Sequence, residues 1–236
     1  MTRPWTDLPI EECGEPLQAL PLTIHRLEPH PYLSLGAPYA EGSSPWRLRV
    51  TVVSNLLKAQ KQLQLDSPDL SLSVFDAWRP IEVQSFMIEY SINKECSLRG
   101  LDRQNPINES SIEEVIKDVS NFWAPPNVSP LNPPPHSTGA AVDLTLVDLN
   151  GTPIEMGGEI DQIGDISFPN YYSSYAKDDV NSKASLWNSR RNVLARAMEN
   201  AGFCQHPNEW WHFSYGDQLW AWKKNILLAN YGRMDH

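Results

Sequence analysis

The sequence predicts a single α+β domain, an antiparallel sheet with helices packed against one side. Two segments, Leu70 to Trp78 and Val142 to Leu149, alternate apolar and polar residues with the period of a half-buried strand. Others, beginning near Ser44, Ser110 and Lys183, read as helices. The helices come first and the strands later, without the regular strand–helix alternation of a parallel sheet. A length of 236 residues, 41% of them apolar, suits one large core.

Residues 1–43 are broken by prolines and show no period, which predicts an irregular surface arm ahead of a domain spanning 44–236. Ser44 followed by Pro45 reads as a helix start, a capping oxygen and then a residue already at helical φ. Trp46, Val50, Val53 and Leu57 carry that helix to about residue 64. The strand from Leu70 ends at Arg79-Pro80, because the residue before a proline is driven to extended geometry while proline opens a helix well. Arg79 is thus expected at a strand-to-helix junction, firmly held yet exposed.

Ser110 or Ser111 with Glu113 and Glu114 opens a helix to about Phe122. The six prolines between Ala124 and Pro135 exclude helix and central strand and deliver His136 on a stiff loop. Asn150-Gly151 predicts a hairpin turn leading into Thr152 to Met156, followed by a long active-site loop over 157–183. A helix is expected from about Lys183 to Asn200 with Gly202 near its C-terminal cap, then a short strand from Glu209 to Tyr215. Asp217 opens a last helix.

A net charge of −10 and the absence of any basic run argue against nucleic acid as a partner. No segment approaches the roughly 20 apolar residues of a membrane span, and Asp7, Glu11 and Glu12 interrupt the N-terminal stretch a signal peptide would need. Cys13, Cys96 and Cys204 are scattered and odd in number, which points to buried, reduced thiols. A cytoplasmic location is the resulting expectation.

The chemistry gathers in two segments, His136-Ser137-Thr138-Gly139-Ala140-Ala141-Val142-Asp143 and Glu209-Trp210-Trp211-His212. Zinc-dependent amide hydrolysis needs three protein ligands, an open position for water, a nearby base and a cation for the developing oxyanion. His136, Asp143 and His212 can be ligands, Glu209 the base and Arg79 the cation. The spacing sets a condition. On a flat strand Glu209 and His212 would face opposite ways, so the chain between them must bend. Each residue also has an ordinary alternative: a core histidine, a turn-capping Asp143, a rim carboxylate at Glu209, a structural ion pair at Arg79. Ser137 has no partner that would make it a nucleophile. His206 and Asp148 lie near the motifs without being needed as ligands.

The run from His136 to Asp143 resembles the H-x-x-G-x-A-x-D signature of the D-alanyl-D-alanine dipeptidases, a VanX-like branch of the zinc D-Ala-D-Ala metallopeptidases. Glu209-Trp210-Trp211-His212 resembles their E-W-W-H motif, and Asp76-Ala77-Trp78-Arg79-Pro80 their Arg-Pro segment. The likeness extends over about residues 44–215 in consistent order. It implies a D-Ala-D-Ala metallopeptidase/Hedgehog-like fold and one Zn2+ per chain held by His136, Asp143 and His212. It also implies Glu209 as acid and base, Arg79 as transition-state stabiliser, and cleavage of a small D,D-dipeptide into free D-amino acids. Met156-Gly157-Gly158-Glu159-Ile160-Asp161 resembles another family segment and makes Asp161 the candidate for the substrate ammonium. Two positions depart: Pro134 stands where the family has a substrate-contacting Ser, and Ile160 where it has Phe. A D,D-carboxypeptidase acting on peptidoglycan peptides and a non-catalytic zinc-containing binding module are the alternative readings of the same residues.

Overall fold

The computed structural model describes residues 3–235. A five-stranded sheet forms the centre, in the order β2 (His25–Arg26), β4 (Ser71–Asp76), β5 (Ala141–Val147), β7 (His212–Ser214), β6 (Cys204–Gln205). Its neighbours are antiparallel except β2 and β4, which run parallel. A two-stranded ribbon joins β1 (Leu17–Ala19) to β3 (Arg47–Arg49).

Helices lie on both faces, not on one as the pattern suggests. Against one face pack α2 (Val50–Asp66) and α6 (Lys183–Asn200), through Val52, Leu56 and Leu63 of the first and Leu194 and Met198 of the second. They meet Leu72, Val74, Val142, Leu144, Leu146 and Phe213 of the sheet, the alternate residues of three strands. On the other face Phe75 packs with Tyr32 of α1 (Pro31–Ser34), Val83 and Met87 of α3 (Ile81–Leu98), and Val115 and Val119 of α4 (Glu109–Phe122). With both faces covered, β5 is buried along its whole length.

The elements at 44–49 and before residue 43 differ from expectation. Residues Arg47–Arg49 are strand because they pair with Leu17–Ala19, and α2 begins only at Val50. Ser44 Oγ instead accepts from the Trp46 amide at 3.2 Å. A long-range pairing here outweighs a local helix signal. The stretch expected to be irregular therefore supplies β1, β2 and α1. The helix expected from Ser110 or Ser111 begins at Glu109, after a 3-10 turn over Pro106–Asn108. Asp148 accepts the amides of Asn150 and Thr152 at 2.8 and 2.9 Å, tightening the turn into a single bridge, Val147 to Pro153, without a further strand. The loop expected over 157–183 carries one short α-helix, α5 (Tyr175–Asp178), while helix α6 and the helix α7 (Gln218–Lys224), capped by Asp217 accepting from the Trp220 amide, stand where expected. Cys96 and Cys204 are buried thiols, whereas Cys13 is exposed.

Arg49 ties this frame together. Fully buried, it donates from Nε to the Thr138 carbonyl at 2.7 Å, to both Glu12 carboxylate oxygens at 2.9 Å, and to the Gly232 carbonyl at 2.9 Å. One side chain thus links both chain ends to the turn carrying His136. Arg49→Met should leave the Thr138 and Gly232 carbonyls without the guanidinium and Glu12 with only the Gly14 and Gly232 amides, and destabilise the fold by about 3 kcal/mol. Urea unfolding of the two proteins measures this, and a change below about 0.5 kcal/mol would show that solvent replaces the bonds.

Candidate active site

The side chains singled out by type and spacing meet on the sheet face opposite α2 and α6. Asp143 and His212 are direct cross-strand partners on β5 and β7. His136 arrives on a 3-10 turn, Pro135–Thr138, which ends at Gly139 with φ +70°. A Cβ at Gly139 would lie 2.2 Å from Leu17 Cδ2, so this left-handed reversal accepts no other residue without rearrangement. It turns the chain so that residues an odd number apart reach one site. Glu209 and His212 meet for a related reason: residues 209–211 lie outside the strand and bend, and only 212–214 are extended.

His136 Nε2, His212 Nδ1 and an Asp143 carboxylate oxygen form a triangle. His136 Nε2 is 3.1 Å from His212 Nδ1 and 3.2 Å from Asp143 Oδ2, and His212 Nδ1 is 3.0 Å from Asp143 Oδ1. A tetrahedral zinc with bonds near 2.0 Å has ligand–ligand edges of ~3.3 Å. The remaining ring nitrogens are engaged elsewhere. His136 Nδ1–H donates to the Ala77 carbonyl at 2.7 Å, and His212 Nε2–H faces Ser214 Oγ at 3.3 Å. Ser214 Oγ–H in turn donates to Asp217 at 2.7 Å. These contacts select the tautomers that leave both inner nitrogens as lone pairs. Asp143 Oδ1, though buried, has no hydrogen-bond donor. An acceptor-only cluster with an orphaned carboxylate oxygen fits a divalent cation.

Arg79 is buried, 4% exposed, and not the accessible junction residue expected. Its guanidinium is 5.0 Å from the Tyr32 ring centre and 4.9 Å from that of Trp123, because α1 and the end of α4 close over the junction. It donates to Asp76 Oδ2 at 2.7 and 3.0 Å, to Gln84 Oε1 at 2.8 Å and to Tyr32 Oη at 3.2 Å, and its Nη2 lies 3.4 Å from Asp143 Oδ2.

Asp76 is a site neighbour whose role the alternation pattern hides. A register shift between Val74 and Asp76 is a bulge, so Asp76 faces the same side as Asp143, its strand partner, instead of the core. There it meets Arg79, His136 Nδ1 at 3.3 Å and His30 Nε2–H at 3.1 Å. Without Arg79 between them, two buried carboxylates on adjacent strands would repel strongly. His30 and Tyr32 come from the stretch expected to be irregular and carry no motif that could have marked them.

Glu209 Oε2 lies 3.5 Å from His212 Nδ1, and Oε1 lies 3.5 Å from His206 Nδ1. Burial, with Asp143 adding repulsion, pushes its carboxyl well above the usual range. His206 sits behind Glu209 and outside the triangle. Asp161, at φ +64°, accepts from Tyr32 Oη–H at 2.7 Å. Burial and then the charge of Asp143 raise its carboxyl to about 7. His136, Asp143, His212, Arg79, Glu209, His206 and Asp161 line one cavity of about 40 Å³, with Arg3, Trp5, Trp123 and Trp211 completing the wall, while Asp76 and His30 lie behind it. Asp161 also borders a larger cavity of about 1220 Å³ next to it. Asp148 lines neither, and its carboxylate is used in its own turn.

A family model described as D-Ala-D-Ala dipeptidase matches residues 25–229. The chain belongs to the D-Ala-D-Ala dipeptidase family. It is a peptidase, and it is 43% identical over 242 aligned positions to a D-alanyl-D-alanine dipeptidase of Synechocystis sp., covering 99% of this chain and 97% of that one. A D-alanyl-D-alanine dipeptidase of Enterococcus faecium is 28% identical over 174 positions, 71% of this chain and 72% of the other. Among solved structures, the D,D-pentapeptidase VanY of vancomycin resistance in complex with Zn(II) covers 94% of this chain and 96% of that one, at 13% identity and a TM-score of 0.48. No helix among the described residues is long and apolar enough to cross a membrane.

Proposed function

We propose that the chain is a zinc-dependent dipeptidase that hydrolyses D-Ala-D-Ala, or a close D,D-dipeptide, to two free D-amino acids. The observation that carries this reading is the acceptor triangle of His136, Asp143 and His212, open towards Glu209 and the shared cavity. These three residues would hold the zinc. When bound, zinc lowers the pKa of a water and polarises the scissile carbonyl.

The chain's own groups do the rest. Glu209 takes the proton from the attacking water and returns it to the leaving amide nitrogen, so one carboxylate serves as base and then acid. Arg79, fixed between two aromatic rings, places positive charge beside the carbonyl oxygen as it becomes an oxyanion. Asp161, held by Tyr32, pairs with the substrate ammonium. That pairing favours a free amino terminus next to the scissile bond and disfavours the longer peptides of a D,D-carboxypeptidase. A binding module would have no use for Glu209 and Arg79 in these positions.

Purified protein should release two equivalents of D-alanine per D-Ala-D-Ala. It should act weakly, if at all, on L-Ala-L-Ala and on an N-acylated tripeptide ending in D-Ala-D-Ala. Incubation with a strong chelator should abolish turnover, and added zinc should restore it. The same treatment should lower the melting temperature, because a ligand bound only by the native state stabilises it. Full activity after the metal has been shown to be absent would overturn the mechanism, and preference for the acylated tripeptide would favour the carboxypeptidase reading.

A further inference from the structure

One charged wall of the cavity is not used by the chemistry above. Arg3 lines it together with Glu209 and His206. The segment that carries it is pinned: the Trp5 ring stands edge-on to His206 at 5.5 Å, and Gln218 Nε2 donates to the carbonyls of Thr6 and Leu8 at 3.2 and 2.6 Å. The Arg3 side chain itself has a single hydrogen bond, Nη2 donating to the Ser120 carbonyl at 3.3 Å. The Glu209 oxygens, which share the cavity, lie 3.5 Å from His206 Nδ1 and His212 Nδ1. Among the described residues no carboxylate lies within ion-pair distance of Arg3. A half-buried guanidinium with one neutral partner beside the reacting groups has unused donors.

We infer that Arg3 captures the free carboxylate of the dipeptide's leaving residue. The inference rests on the dipeptidase reading and gives that substrate its second anchor. A zwitterionic dipeptide carries a charge on each side of its amide. The ammonium end belongs with Asp161, on the side of Tyr32 and Arg79. The leaving nitrogen must lie within reach of Glu209 to receive its proton, so the carboxylate one carbon beyond falls on the Glu209 side. Arg3 is the cation there. Arg79 cannot serve, since Asp76, Gln84 and Tyr32 occupy it and it faces the oxyanion position. Pro134 cannot serve either: it has no donor, and its carbonyl already accepts from the Ser137 amide and hydroxyl at 3.0 and 2.8 Å. A guanidinium grips a carboxylate through two parallel N–H donors, matching orientation as well as charge. The cavity of about 40 Å³ holds water but not a dipeptide, so binding displaces its rim, and Arg3 is a rim group with little to give up.

The test compares D-Ala-D-Ala with its C-terminal amide, D-alanyl-D-alaninamide, in the wild type, Arg3→Met and Arg3→Lys. Wild type should favour the free acid by on the order of tenfold to a hundredfold in kcat/KM, and Arg3→Met should reduce that preference to near unity, chiefly through KM. Arg3→Lys should recover part of it, which loss of packing alone would not allow. If Arg3→Met keeps the wild-type preference for the acid, the inference is wrong and the dipeptidase reading stands. If wild type cleaves neither compound, the dipeptidase reading fails and takes this inference with it.

Discussion

Glu209→Gln should keep about one zinc per chain and lose hydrolysis of D-Ala-D-Ala by a factor of about 100 to 10,000 in kcat. The amide has nearly the shape of the carboxylate and fits between His206 and His212, whose ring nitrogens lie 3.5 Å from the two Glu209 oxygens. What it lacks is basicity. A group that must take a proton and give it back needs a proton affinity near the working pH, and burial beside Asp143 raises that of Glu209. A bound dication pulls in the opposite direction and keeps the carboxylate available as a base. Because the proton moves only as the bonds change, kcat and kcat/KM should fall together. Metal analysis and D-alanine release on the same preparation check this. Wild-type turnover would remove Glu209 from the mechanism, and loss of the metal would make it a ligand.

His212→Ala should weaken zinc binding by well over the hundredfold expected for a change outside the ligand set. It deletes one corner of the triangle and leaves Asp143 Oδ1 with no polar group at 3.0 Å. The milder change Ser214→Ala should cost only about tenfold to a hundredfold in affinity, by freeing the His212 ring from the hydroxyl at 3.3 Å that orients it. Titration with a competing chelator ranks the two. Equal affinities, or stoichiometric zinc at wild-type strength in His212→Ala, would mean that the cation sits elsewhere. Circular dichroism separates this outcome from misfolding.

Much of the layout is legible because it is local. Helix α6 runs over Lys183–Asn200 as its period predicts, with Ser182 accepting from the Ser185 amide at its start. Strand β5 shows in its alternation, and the odd spacing from His136 to Asp143 already requires a reversal, which Gly139 supplies. What the sequence hides is non-local. The pairing that makes Arg47–Arg49 a strand depends on residues about thirty positions away, so the signal at Ser44-Pro45 points to the wrong element. Alternation assigns Asp76 to the core face, and only the bulge beside it turns the carboxylate to the site. His30 and Tyr32 reach Asp76 and Arg79, and Arg3 reaches the cavity, because α1 and the N-terminal segment fold back onto the sheet, which no spacing rule encodes.

The cross-strand pair of Asp143 and His212 would make a cation held there a reader of sheet alignment. Side chains alternate between faces, so a slip of β7 by one residue against β5 would bring Phe213 to the site opposite Asp143 and turn His212 towards Leu144, Leu146 and α2. Such a misaligned chain would have neither a metal nor an intact core. If these residues hold zinc as proposed, metal uptake would require correct strand alignment, and zinc bound during refolding would report that the core has closed.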